Sequence, residues 1–223
     1  MVSYEVFESL YRQAMLLRAV VPPPPNAKAL PPPLRVAMVV TKAPSEPAAV
    51  LKITLEAMLA QDWPARYDVW LADEDPAEEL SAWCAERGVR VCTRKGAEDY
   101  HRTSWPRRRR CKEGNLAYWY DTVAYDSYDV ACQFDADHVP DSTYLSATVP
   151  VFADPAVGYV AAPSICDANA AASWAVRGRL YLEAYMHGPL GASRSFGALP
   201  CCIGSHYSVR TAALREAGGI GPE

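Results

Sequence analysis

Short apolar runs alternate along the chain with stretches whose apolar positions recur at helical spacing. The runs Arg35 to Val40, Tyr67 to Ala72, Val89 to Thr93, Asp129 to Phe134 and Val157 to Ala162 predict strands. Between them, Ala48 to Ala60, Ala77 to Arg87, Lys112 to Asp126 and Ser142 to Phe152 predict helices, and a short helix begins at Arg210 or Thr211. Strands that read as nearly continuous apolar runs are buried on both faces. The alternation therefore predicts an α/β fold, a mostly parallel sheet flanked by helices. Ahead of it, Ser3 to Val20 places Phe7, Leu10, Tyr11 and Ala14 on one helical face, and two proline runs follow, Pro22 to Pro25 and Pro31 to Pro33. Residues 1–33 thus read as a helix with a stiff linker, and residues 34–223 as one domain.

At 223 residues the chain is long enough to bury a full α/β core. Its formal charge of -4 argues against nucleic acid as a partner, since such binders carry a basic surface. Any phosphate site must be local. The seven cysteines form no CxxC pair and have no histidine at zinc-ligand spacing, which fits free thiols in a reducing compartment and predicts a cytoplasmic location. The sequence shows neither a signal peptide nor a membrane span, so the chain as given is expected to be soluble.

In a parallel α/β sheet, ligands bind beyond the carboxyl ends of the strands. The first strand runs into Thr41-Lys42-Ala43-Pro44-Ser45-Glu46, the second into Asp73-Glu74-Asp75 and the fourth into Asp135-Ala136-Asp137-His138. Two aspartates two apart on an extended segment point to one side, where hard oxygen ligands can hold Mg²⁺ or Mn²⁺ against a diphosphate. Asp135 and Asp137 are the candidate metal ligands. Arg107 to Arg110 read either as a solvated loop or as a patch for anionic lipid or RNA. Lys112 stands where a helix begins, among free backbone N–H groups, and is the candidate phosphate contact; Gly114 permits close approach there. A last patch, Cys201 to Arg210, offers Gly204, Ser205 and His206 as an acceptor-side wall, with no Ser/His/Asp nucleophile arrangement around them.

In this order the patches resemble the catalytic domain of family-2 inverting glycosyltransferases, in the cellulose-synthase and hyaluronan-synthase-like branch. Val39 to Glu46 resembles the VPTYNE element, with an extra residue and no tyrosine. Trp70 to Asp75 resembles the VxxLDD end that holds the uracil or ribose, a role the resemblance assigns to Asp73, or failing it Asp75. His101 and Lys112-Glu113-Gly114-Asn115-Leu116 resemble the H…KAGNLN element, and Phe134 to Pro140 is close to (L/F)DADxxP. Val157 to Pro163 is similar to VGxVQTP with alanine in place of glutamine, and Cys202 to Arg210 resembles FCGSNAVxRR.

The resemblance implies a GT-A type fold with a Rossmann-like nucleotide-binding half. It also implies metal-dependent, inverting transfer of a sugar from a UDP-sugar to a growing glycan. Thr41, Glu46, Asp73, Asp75, Lys112 and Asp135 would meet the nucleotide sugar. The TED-type motif that carries the family's general base, and the later QxxRW motif, do not occur by Glu223; the resemblance places both beyond it, together with membrane segments that would hold the domain at the inner face of the plasma membrane. A non-catalytic nucleotide- or carbohydrate-binding module remains an alternative. A nucleotidyltransferase is disfavoured because Thr41 to Glu46 contains no glycine.

Overall fold

The computed structural model describes residues 2–17, 33–105, 108–165, 167, 169–194 and 204–222. In chain order its elements are α1 (Val2–Leu17), β1 (Val36–Lys42), α2 (Ala48–Leu59), β2 (Tyr67–Asp73), α3 (Glu78–Glu86), β3 (Arg90–Cys92), α4 (Cys111–Trp119), α5 (Tyr125–Ser127), β4 (Val130–Asp135), α6 (Tyr144–Thr148), β5 (Tyr159–Ala161), α7 (Trp174–Tyr185), α8 (Gly191–Arg194), β6 (Tyr207–Arg210) and α9 (Thr211–Glu216). They fall into two compact units, one within Met1–Pro24 and Ala161–Gly204, the other within Pro25–Val160 and Ser205–Glu223.

The larger unit is built on a sheet of order β3-β2-β1-β4-β6-β5. β1 pairs in parallel with β2 on one side and β4 on the other, β2 pairs in parallel with β3, and β6 runs antiparallel to β4. The sheet is therefore mixed but mostly parallel, as expected. Val36 to Val40 of β1 are buried almost completely, which is why this strand reads as an unbroken apolar run. Ala37 and Val39 pack with Trp119, Tyr120, Ala124 and Tyr128 on one face. α2 contributes Leu51, Thr54, Leu55 and Met58, spaced as one helical face, to the buried interior.

Register is pinned at the opposite end from the candidate site. The backbone N–H of Arg35 donates to Asp129 Oδ2 (2.7 Å), and its guanidinium grips the same carboxylate through Nη2 to Oδ1 (3.0 Å) and Nε to Oδ2 (3.2 Å). This clip fixes where β1 and β4 start side by side. It follows that Thr41 lies opposite Asp135 on one flank, and Lys42 opposite Asp73 on the other.

The larger unit departs from the sequence expectations in five places. β1 continues to Lys42 instead of stopping at Val40. The helix expected over Lys112 to Asp126 is α4 running through a π turn (Tyr120–Ala124) into α5, and the one expected over Ser142 to Phe152 tightens after α6 into a 3₁₀ stretch (Val149–Ala153) around Pro150. β5 lies half-exposed at the sheet edge, not buried. β6 is an unexpected strand: its Ser208 is fully buried, within reach of Tyr144 Oη (3.2 Å), Cys132 Sγ (3.1 Å) and Thr148 Oγ1 (3.3 Å).

In the smaller unit α1 lies against α8 and the π turn Met186–Leu190, into which α7 runs. α7 was not expected. It is started by Ser173, whose Oγ accepts from the N–H of Val176 (3.3 Å), and it buries none of its residues. The proline run Pro22 to Pro25 lies outside the described residues.

Candidate nucleotide-sugar site

Thr41, Lys42, Ala43, Glu46, Lys112, Asp135 and Asp137 line one cleft of about 310 Å³ at the carboxyl ends of β1 and β4. Two of its segments meet because β1 and β4, parallel and in flush register, deliver their ends together, and the third, Lys112, enters from the first turn of α4. Beyond β1 a tight turn closes with the Glu46 N–H donating to the Ala43 carbonyl (3.0 Å), while the Glu46 carboxylate accepts from the Ala43 N–H (2.5 Å). Glu46 thus shapes the rim with its own carboxylate.

The Asp135-Ala136-Asp137-His138 segment is a turn off the end of β4, with the His138 N–H on the Asp135 carbonyl (3.0 Å). Buried Thr54 of α2 donates its hydroxyl to the Ala136 carbonyl (2.7 Å). Gln61 holds the far side, donating to the Asp141 carbonyl (2.9 Å) and accepting from the Leu145 N–H (3.1 Å). So anchored, Asp135 is half-buried and ion-paired with Lys112, while Asp137 is exposed at the cleft mouth. His138 Nδ1 lies 3.8 Å from Asp135 Oδ2.

Of the two carboxylates considered for the nucleoside, Asp73 has 0% exposure and faces Lys42, with Nζ 3.5 Å from Oδ2. Asp75 is exposed and paired with Lys95 (2.5 Å), whose hydrogen bond and charge hold its carboxyl below the usual carboxylate range. Of the residues expected to form an acceptor-side wall, Gly204 is exposed, and Ser205 and His206 are buried. Ser205 Oγ and His206 Nδ1 are 2.8 Å apart, and the His206 ring meets that of His138 edge-on at 5.4 Å. His206 adopts φ 49°, a left-handed conformation uncommon outside glycine.

Two side chains were not singled out in the sequence. Lys42, 8% exposed at the end of an apolar strand, puts a cation inside the cleft. Arg94, 1% exposed, binds Glu74 and three loop carbonyls (below) and occupies the space a side chain at Gly114 would need. Gly114 therefore makes room for a guanidinium, which corrects the reading that its missing side chain serves a ligand. The arginine cluster is also partly internal: Arg108 donates to the carbonyls of Ile220 and Gly221 (2.6 Å each), while Arg107 lies outside the described residues.

Among the described residues, no group of three His, Cys, Asp or Glu side chains converges as a metal cage. The cleft does suit an ion that takes one or two carboxylates and completes its shell with substrate phosphates and water, as Mg²⁺ does. No described helix is long and apolar enough to cross a membrane.

The fold has a clear counterpart. A mannosyltransferase from Pyrobaculum calidifontis, solved with GDP-Man and Mn²⁺, superposes with a TM-score of 0.62 over 94% of this chain and 54% of its own, at 18% identity. This is the GT-A glycosyltransferase fold. In sequence the domain is similar to the UDP-forming cellulose synthase catalytic subunit of Xanthomonas axonopodis pv. citri, 29% identical over 106 residues, which is 47% of this chain and 13% of the relative. It is also similar to cellulose synthase 1 of Komagataeibacter xylinus, 28% identical over 137 residues, 61% of this chain and 8% of the relative. The chain thus spans about a tenth of the length of these curated relatives. No family model matches. The resemblance to family-2 catalytic domains agrees with both the cellulose synthase similarity and the GT-A fold.

Proposed function

We propose that this GT-A domain binds a nucleotide sugar, a UDP-sugar by its cellulose synthase likeness, and transfers the sugar to a growing glycan with inversion. The observation that carries the reading is the meeting of Lys112, Asp135 and Asp137 in one cleft at the strand ends. Breaking the sugar–phosphate bond leaves charge on a nucleoside diphosphate, so the site must supply cations placed beforehand. Lys112 is one, and on ligand binding it exchanges part of its pairing with Asp135 for a phosphate oxygen. Asp137 and Asp135 are the residues to hold Mg²⁺ or Mn²⁺, and such an ion would neutralise the diphosphate.

Thr41 and Glu46 then line the nucleoside end, with the buried Asp73 behind it holding Lys42, and Asp75 at its margin. Gly204, Ser205 and His206 form the acceptor side. The reaction also needs a carboxylate to accept the proton of the attacking hydroxyl. The domain works at the cytoplasmic face of a membrane.

Titration calorimetry with UDP tests the reading. UDP should bind with Mn²⁺ or Mg²⁺ and lose affinity with EDTA or in Asp137→Ala. Equal affinity under all three conditions removes the metal site, and absence of UDP binding under any of them removes the nucleotide-sugar reading.

A further inference from the structure

The chain leading into α4, which carries Lys112 to Asp135, is gripped by one buried side chain. The Arg94 side chain, past the end of β3, is 1% exposed. Its Nε donates to Glu74 Oε2 (2.9 Å), the carboxylate next in sequence to Asp73. Its Nη1 donates to the carbonyls of Tyr100 and Arg108 (2.7 Å to the latter), and Nη2 to that of Arg110 (3.3 Å). The carbonyl oxygens span the loop from residue 100 to the residue that caps α4. His101 adds a contact from the loop to the same centre, Nε2 to the Arg94 carbonyl (3.1 Å). Only a planar fork with several donors can serve a carboxylate and three carbonyls at once; a lysine ammonium cannot reproduce that geometry.

We propose that Arg94 is a positioning residue for diphosphate binding. Held by Glu74, it fixes the loop and the first turn of α4 by their carbonyls, and so sets Lys112 on Asp135. Arg94 itself touches no ligand. The inference rests on the cleft being the nucleotide-sugar site.

Binding of UDP and of uridine by calorimetry, with Mn²⁺ present, tests it on wild type, Arg94→Lys and the milder Glu74→Gln. Misplacing Lys112 should weaken UDP by on the order of tenfold or more, the value of a charged hydrogen bond, and leave uridine within about twofold. Trypsin should at the same time cut faster between Arg102 and Lys112 in both variants. A merely structural arginine would lower both ligands alike. Equal losses for UDP and uridine, or wild-type UDP affinity in both variants, overturns the role of Arg94 while the site stands. Failure of the wild type to bind UDP overturns the site itself.

Discussion

Gly114→Ala is a substitution whose sign depends on one neighbour. By helix propensity alone, alanine inside α4 should stabilise by about 1 kcal/mol. Its Cβ, however, would fall on Nη1 of Arg94 and crowd the rest of the guanidinium. An exposed arginine would swing aside at little cost. Arg94 cannot, because leaving strips the partner from Glu74, itself only 19% exposed, and from the loop carbonyls. Breaking a buried ion pair costs about 3–5 kcal/mol. Less the propensity gain, the net loss is about 2–4 kcal/mol, a large share of the 5–15 kcal/mol or so that holds a typical domain. At about 2–4 °C per kcal/mol for a chain of this size, the melting temperature should drop by roughly 4–16 °C. Thermal and urea unfolding followed by circular dichroism measure the loss. The same change in an Arg94→Met background should cost little, since the obstruction has gone. A Gly114→Ala protein as stable as wild type, or one that loses equally in both backgrounds, refutes the account.

Other outcomes follow from buried and paired groups. Asp129 is held below the usual carboxylate range first by its side-chain hydrogen bond to Arg35. A depressed folded-state pKa gives stability that is present above the unfolded value, near 4, and lost as pH falls through the folded value. Asp129→Asn should therefore be less stable than wild type at pH 7, and the gap should close as pH falls through the depressed folded-state value; a gap unchanged across the acid range sinks the assignment. Burial pushes the thiol of Cys132 up to about 12 and those of Cys84 and Cys92 up to about 11. At pH 8 these three should resist iodoacetamide until the protein unfolds, as peptide mass mapping would record; fast labelling of native Cys132 would contradict its burial.

β1 and β4 were legible because burial on both faces writes them as mostly apolar runs, and β2 because its inner end, Val69 and Leu71 to Ala72, is buried and apolar. The Asp135 and Asp137 turn was legible for the same reason, as a polar break straight after such a run. β6 was not, since its Ser208 is polar and buried, and its hydroxyl finds partners only after α6 and β4 have packed around it. α7 gave no periodic signal because it buries none of its residues and leaves Trp174 at 87% exposure. Arg94 and Lys42 were hidden by a sound general rule: a charged residue reads as solvated, and only tertiary contacts reveal one that is enclosed. The role given to Gly114 failed at the same point, because the occupant of the space beside a glycine lies elsewhere in the chain.

The π turn between α4 and α5 has a consequence for how this segment tolerates changes in length. A regular helix turns by about 100° per residue. In the widened turn Tyr120–Ala124 each residue advances by less, so one extra residue is taken up and the stretches on either side keep their phase. A residue inserted or deleted in the regular part of α4 is not taken up: it would turn Lys112 by about 100° away from Asp135 while Trp119 and Tyr120 stay in the core. The widened turn therefore tolerates the loss of one residue, and the length of the helix ahead of it is what matches the face that seals the sheet to the tip that reaches the cleft. Changes of length in α4 ahead of the turn are therefore costly to binding.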